Sequence, residues 1–519
     1  MLRQVISGKP FLKQSFLRDL FLCFLSSVLL ILSFPKTDFW VLTWVGLVPL
    51  LFALDGKTKI VSFFIGYITG ILFFAGTLYW FVHVTLLGMM LLILYFAAYF
   101  AAFALAYYFF RKKTIIEKLF LLPSAWVILE FIRGHLFTGF GWVSLGHSQY
   151  KNLPLIQIAD LTGLFGVSFL VVMVNVLLKE FIERRLSRVD LNPGRAIVYA
   201  SAMVMFCLVL CLGYGSYRYL KRLKEPVDMR VAVIQVNIPQ ELKWEPSAWP
   251  SIMKKYLDLT QEAAKENPDL ILWPETAFPG FIWEAPQLFE ELKDFAAELK
   301  IPLLLGVVIQ AGEDYYNSAL LISRDGEVVK QHDKLHLVPF GEYIPLRNIF
   351  PFLSAVVPIG DFTPGKEYTL FPAPVKESFL GKDGFFSVLI CFEDTVPEIS
   401  RGFVSRGANL LVNITNDAWF QDTKAPFLHL QASVFRAIEN RRPLIRAANT
   451  GVSCFIDKFG KIRKQVEGDH GKSTHVAGYA ITGVALNNER TFYTKYGDVF
   501  TYLCFSGILW TIIKRRRQY

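Results

Sequence analysis

The sequence predicts a polytopic α-helical membrane bundle joined to one water-compatible α/β domain. Three observations carry that expectation: an apolar composition, basic residues in every second connection, and a central block where strand and helix patterns alternate. Of 519 residues, 53% are hydrophobic and 15% aromatic, which points to several spans of hydrocarbon. The net charge of +10 would suit nucleic acid or anionic lipid. The basic residues, however, sit in short connections beside apolar runs. That placement sets membrane topology and argues against a nucleic-acid partner.

Eight apolar runs read as spans, at 16–33, 39–54, 60–80, 86–110, 116–132, 156–178, 196–214 and 499–513, near the roughly 17–25 residues a bilayer requires. Positive charge alternates between their connections. Arg3, Lys9 and Lys13 precede the first, Lys57 and Lys59 follow the second, and Arg111, Lys112 and Lys113 follow the fourth. Arg184, Arg185, Arg188 and Arg195 follow the sixth, and the chain ends on Lys514 to Arg517. The other connections hold only Lys36, His83, Arg133 and Lys151. Both termini are therefore expected in the cytoplasm and the central block outside it. The first run reads as an uncleaved span, because no small-residue cleavage site follows it and its removal would break the alternation. The expected organisation is a seven-helix bundle over 1–217, a catalytic domain over 218–498, and an eighth span with a basic tail over 499–519. Glu130 and Arg133, at i,i+3 near the outer end of a run, can pair; Asp160 has no evident partner.

After the charged hinge at 221–226 the pattern changes. β-Branched and apolar runs at 229–237, 270–273, 302–310, 385–391, 410–414, 443–448, 451–457 and 461–465 read as strands, with a more polar pair at 315–323 and 327–331. Helical periods fall at 251–266, 287–300, 397–407 and 429–440. Such alternation implies a layered α/β fold with functional residues just beyond strand C-termini. Six cysteines do not form a disulfide framework: Cys23, Cys207, Cys211 and Cys504 fall in spans, leaving Cys391 and Cys454 in the block.

Three residues stand at or just past strand ends. Cys391 ends Leu389-Ile390-Cys391 and is followed by Phe392-Glu393-Asp394-Thr395, so the chain leaves the core abruptly. A turn there exposes the sulfur and aims backbone N–H groups at an incoming carbonyl. Without that context, a cysteine ending an apolar strand is more often inert core than nucleophile. A free thiol has a pKa near about 8.5, so a base or cation must supply thiolate. Glu275, in Trp273-Pro274-Glu275, is the candidate base, since an apolar wall raises a carboxyl pKa into the range of proton transfer. Lys334, in Asp333-Lys334-Leu335, can steady the thiolate and an oxyanion. A turn carboxylate and a surface lysine are the plain alternatives. His332 and His336 are at i,i+4 spacing without a carboxylate ligand pattern, which is weak support for a metal. No Gly-rich phosphate loop occurs, and no cofactor is expected.

Together these motifs resemble the nitrilase superfamily, with its Glu-Lys-Cys triad and αββα sandwich. The run Asp333 to Pro345 and the segments Thr415 to Phe420, Glu439 to Pro443 and Arg446 to Gly451 extend the likeness. With the bundle, including Glu130 to Gly134 and Thr138 to Trp142, nearly the whole chain resembles the membrane-embedded branch, the apolipoprotein N-acyltransferases. That resemblance implies Glu275 as general base, Lys334 as oxyanion stabiliser and Cys391 as acylated nucleophile. Glu342 would support the lysine, and Glu393 would be a further essential carboxylate. Trp142, Trp244 and Trp419 would contact lipid or acceptor. It also implies a bacterial inner-membrane enzyme with a periplasmic domain. A phospholipid, phosphatidylethanolamine by resemblance, would donate its acyl chain to Cys391 and then to the N-terminal diacylglyceryl-cysteine of a lipoprotein. Phe392 departs from the Tyr that members often carry there. The aromatic body is kept and the hydroxyl lost, so a phenol-dependent role does not transfer.

Rival classes make different demands. A membrane-anchored amidohydrolase of the same superfamily needs one anchor, not a bundle. A transporter needs ionisable residues along a pathway through its spans, and a non-catalytic scaffold has no use for an intact triad.

Overall fold

The computed structural model describes residues 9–186, 194–220, 226–344, 361–375 and 384–516. Arg3, Arg188, the hinge residues 221–225 and Arg517, which entered the charge reading, lie outside them. The chain divides into two units, Met1–Tyr219 with Asp498–Tyr519, and Leu220–Gly497.

The first unit is helical. Lys59–His83, Leu86–Phe110, Leu164–Leu186 and Arg195–Leu220 are long and apolar enough to cross a membrane. Their apolar side chains face outward as well as inward: Met205, Phe206, Val209 and Leu210 are all exposed on the last of them. That distribution suits hydrocarbon as solvent. Gly66 and Gly70, four residues apart, let two helices meet closely. A Cβ on Gly66 would come within 2.6 Å of Ala104 Cβ, and one on Gly70 within 2.7 Å of Ala97 Cα. Small residues at this spacing allow the backbone approach that drives helix packing in lipid. Thr58, Thr85 and Thr114 cap the helices that follow them, the last in a reciprocal box with Glu117.

Two expected spans differ. The run at 39–54 is broken into Trp40–Leu42, Thr43–Gly46 and Val48–Ala53, with Pro49 in the first turn of the last piece, where its missing N–H costs nothing. The run at 156–178 becomes a long helix only at Leu164. Gly163, at φ +64°, ends the short helix Ala159–Thr162 and redirects the chain. Asp160 on that short helix accepts the Tyr214 hydroxyl proton, with Oη 3.0 and 2.8 Å from its two carboxylate oxygens, and lies 3.5 Å from Arg218 Nε. It is a fastening to the helix Arg195–Leu220. Glu130 accepts from Leu145 N at 2.7 Å and Arg133 donates to Trp142 O at 2.8 Å, so both brace the loop between them.

The second unit is two six-stranded sheets face to face. The first contains β1 (Met229–Gln235), β2 (Leu270–Leu272), β3 (Leu303–Ala311), β4 (Asp314–Ile322), β5 (Val328–Asp333) and β12 (Gly478–Val484), in the order β12-β1-β2-β3-β4-β5. The second contains β6 (Leu370–Pro372), β7 (Phe385–Ile390), β8 (Leu410–Thr415), β9 (Leu444–Ala448), β10 (Cys454–Ile456) and β11 (Ile462–Gln465), in the order β11-β10-β9-β8-β7-β6. Alternation along each strand separates two cores. Val231, Val233, Leu270, Leu272, Leu304 and Leu321 meet Phe386, Val388, Ile390, Val412 and Ile414 between the sheets. Ala232, Ile234, Ile271, Trp273, Leu303 and Leu305 face the helices Trp249–Ala264 and Pro286–Leu299. Each fully buried aliphatic contributes roughly 1.5–3 kcal/mol, so both faces of the first sheet are committed. Helices Pro397–Ser405 and Ala425–Asn440 belong to the second half. The result is the nitrilase-like αββα layering.

The strands β6 and β12 carry no alternating apolar signal in sequence. β6 has three residues and ends on Pro372; β12 begins on Gly478 and contains Gly483. Pairing supplies what pattern lacks, since β12 runs antiparallel to β1 from Met229↔Val484 to Gln235↔Gly478. Cys391 and Cys454 are both free thiols.

Candidate active site

Each predicted triad residue follows a strand: Glu275 and Cys391 follow buried ones, and Lys334 follows the exposed edge strand β5. β2 ends at Leu272, and the buried Trp273 anchors what comes next. Its ring stacks on Tyr256 at 4.6 Å and its Nε1 donates to Thr260 Oγ1 at 2.9 Å. The turn at Pro274-Glu275-Thr276 lies against β3 at Gly306, where a Cβ would come within 2.6 Å of Glu275 Cα and Thr276 N. Only glycine fits under this turn. The Glu275 carboxylate accepts from Asn317 Nδ2 at 2.8 Å and from Asn416 N at 2.9 Å.

Lys334 follows β5 directly. Its Nζ donates to Glu342 Oε1 at 2.8 Å and lies 3.7 Å from Glu275 Oε1. Asn317 Nδ2 also reaches Glu342 Oε1 at 2.8 Å, so one amide and one ammonium bridge two carboxylates. Glu342 Oε2 takes the N–H of Val338 at 2.8 Å. Burial opposes the charge on Lys334, but Glu342 and then Glu275 hold its pKa above that of a free lysine. It is a permanent ammonium.

Cys391 follows β7 and opens the turn Cys391–Thr395 at φ +53°. A non-glycine residue in the left-handed region stores about 1–3 kcal/mol and needs support from its surroundings. Asn413 Nδ2 donates to the Cys391 carbonyl at 2.9 Å, and His429 Nε2 lies 3.3 Å from the same oxygen. Burial, then the charge of Glu275, push the thiol pKa well above its usual value, with Lys334 acting in the opposite direction. The resting sulfur is therefore protonated, and a base is needed to make it nucleophilic.

Glu393 ties the Cys391 turn to the backbone after Lys334. Its carboxylate accepts from Ile390 N at 2.7 Å, Leu335 N at 2.6 Å and His336 N at 3.0 Å. Burial outweighs these donors and pushes its pKa up to about 7. Phe392 presents its ring to His336, centroids 6.1 Å apart and nearly parallel. His332 packs instead on Phe403, so the two histidines have separate surroundings. Among the described residues no group of His, Cys, Asp and Glu could hold a metal ion.

A second layer of buried charge lies behind Cys391. His429 Nε2 is 2.7 Å from Asp394 Oδ1 and its Nδ1 is 3.0 Å from Asp417 Oδ1. Arg446 donates to Asp394 Oδ2 at 2.7 Å and to Ser433 Oγ at 2.8 Å, and Ser433 donates to Asp394. Burial works against both carboxylates, yet His429 and Arg446 hold them below the usual range. Burial also opposes the imidazolium, but Asp394 and Asp417 push His429 up to about 9. The layer is a balanced set of two anions and two cations.

Of the aromatic residues expected to meet substrate, Trp244 is 44% exposed and Trp419 is 48% exposed, large for rings in a folded unit. Trp244 begins a chain of rings through Phe281, at 5.7 Å, to Trp283, stacked on Phe281 at 4.2 Å. Trp142 belongs to the first unit, buried against Trp80 at 5.2 Å and Phe140 at 5.8 Å. Sequence reasoning missed Asn317, Asn416 and the His429 layer as site residues. Asn416 and Asp417 follow the apolar β8 as Cys391 follows β7, which was a readable signal. Asn317 sits inside a polar strand and gave none.

The family model described as the apolipoprotein N-acyltransferase N-terminal domain matches residues 26–177, and that described as carbon-nitrogen hydrolase matches residues 230–480. The chain is 40% identical to the apolipoprotein N-acyltransferase of Geobacter metallireducens, over 94% of each chain. It is 30% identical to that of Pasteurella multocida, over 86% of each. With that of Chlorobaculum tepidum it shares 29% identity over 96% of this chain and 97% of the relative.

Proposed function

The chain belongs to the apolipoprotein N-acyltransferase family, bacterial membrane enzymes with phospholipid and lipoprotein substrates, and on that premise we propose a ping-pong reaction through Cys391. Glu275 takes the thiol proton as the sulfur attacks an ester carbonyl of the phospholipid. The ester C–O bond breaks, and the departing lysophospholipid oxygen takes the proton back from Glu275. The acyl group is then a thioester. The neutral α-amine of a lipoprotein's diacylglyceryl-cysteine attacks it, Glu275 takes the amine proton, and that proton returns to the departing sulfur.

The observation that carries this reading is the meeting of Glu275, Lys334 and Glu342, close enough to the half-buried Cys391 for the charges of Glu275 and Lys334 to act on its thiol. In each half-reaction a tetrahedral oxyanion forms, and the Lys334 ammonium together with the Phe392 N–H would stabilise it. One preorganised donor of this kind is worth about 3–4 kcal/mol. Phe392 needs no hydroxyl for that role. Phosphatidylethanolamine is the expected donor. The alternation of Lys and Arg among connections supports cytoplasmic termini and a periplasmic catalytic domain.

The test uses the purified full-length protein with a phospholipid of defined acyl chains. Intact-protein mass spectrometry should find an acyl adduct on Cys391, absent in Cys391→Ser and discharged by a diacylated lipopeptide. A wild-type protein that turns over while Cys391 stays unmodified refutes the thioester route.

A further inference from the structure

Lys243 lies outside the triad, yet it is as buried as Glu275 and Lys334, at 3% exposure. It sits in the short turn Gln240–Trp244, next to the exposed Trp244. Its side chain crosses to the turn that carries the proposed base. Nζ donates to the carbonyls of Glu275 and Thr276, at 3.3 and 3.1 Å, and to Thr276 Oγ1 at 3.2 Å. Three acceptors match the three N–H groups of an ammonium; a neutral amine has only two.

The turn it holds is strained. Thr276 adopts φ +45°, a conformation that a β-branched residue adopts only under constraint. Gly306 presses on the turn from one side, and Lys243 grips its carbonyls from the other. The loop has a second link to the base: Asn416, whose N–H binds the Glu275 carboxylate, donates through Nδ2 to Gln240 Oε1 at 2.6 Å. Both attachments of the Trp244 loop therefore end at Glu275.

We propose that Lys243 is a positioning residue for acyl transfer: its ammonium holds the strained Glu275–Thr276 turn and couples the base's placement to the loop bearing Trp244. The role rests on Glu275 acting as the base. Burial lowers the Lys243 pKa to about 7, with Glu275, the charged group set against it, opposing that fall. The three acceptors around Nζ favour the charged form against that fall.

The test measures single-turnover acylation of Cys391 by phospholipid in full-length protein. Lys243→Met should slow acylation at saturating phospholipid about 10- to 100-fold, the strain it no longer restrains, with half-saturation unchanged. Lys243→Gln, which keeps two N–H donors, should fall between it and wild type and serves if the Met variant does not fold. Adding Thr276→Gly, which accepts the same backbone angle without strain, should recover at least about five-fold of the loss. Acylation at the wild-type rate in both variants overturns the proposal. So does a loss confined to half-saturation, or one that Thr276→Gly leaves untouched. A wild-type protein that is not acylated at all would instead count against the thioester route.

Discussion

Replacing Asn317 by Asp would put a third carboxylate in contact with two others. The Asn317 amide now donates to Glu275 and Glu342 at 2.8 Å each. In Asn317→Asp both donations vanish and like charges meet at hydrogen-bond distance. Two unit charges about 4 Å apart at an effective dielectric near 20 interact by about 4 kcal/mol, or about three pH units at 1.4 kcal/mol each. Lys334 offsets part of this, so one to three units is the expected rise in the proton affinity of the shared site. Glu275 would then hold a proton when it should accept one. Acylation of Cys391 at neutral pH should fall about 10- to 1000-fold and return as pH rises. The assay is the rate of adduct formation, by intact-protein mass spectrometry, from about pH 5 to 9. An acid limb that stays in place would refute the assignment of Glu275 as the proton acceptor. Loss at every pH would show instead that Asn317 is needed for folding.

Three further outcomes follow from the same geometry. Lys334→Met removes the ammonium from between Glu275 and Glu342 and should lower acylation at least about 100-fold in a rapid-quench assay. Glu393 has a folded pKa of about 7 against an ordinary 4.5, so its contribution to stability is full below the lower value and is lost as pH rises through the higher. Thermal melts should therefore show wild type losing on the order of 3 kcal/mol across that window relative to Glu393→Gln; parallel curves would refute it. In Gly451→Ala the new Cβ would overlap Asp417 Oδ2, and disrupting a buried ion network costs about 3–5 kcal/mol. A melting temperature within a degree or two of wild type would contradict that reading.

The chemistry was legible wherever a charged or nucleophilic residue interrupted an apolar run. Glu275 and Cys391 stand within three residues of a buried strand's end, where a polar side chain has few structural reasons to be, whereas Lys334 follows the mostly exposed edge strand β5. What could not be read is the partnership between strands. Asn317 lies within β4 among alternating residues and differs from its neighbours only through what it faces across the site. Lys243 reads as a solvated lysine in Glu241-Leu242-Lys243-Trp244, because burial of its amine depends on a turn more than thirty residues away. The strand β12, rich in glycine, is made a strand by β1. In the helical unit, length and hydropathy marked the apolar runs, but Gly163 and Pro49 decided where helices begin. Those are local backbone effects that a hydropathy window averages away.

The pairing of β1 with β12 has a consequence for how the protein is made. The first strand of the unit waits for its outer neighbour until some 250 residues later have left the ribosome, a contact of very long sequence separation. Until then Met229–Gln235, buried at every position but Arg230, offers a bare hydrogen-bonding margin to any other extended chain. A nascent polypeptide interrupted before residue 478 would already contain Cys391, Glu275 and Lys334, yet would carry an unsealed sheet. Premature termination should therefore yield sticky, aggregating fragments, not weakly active ones.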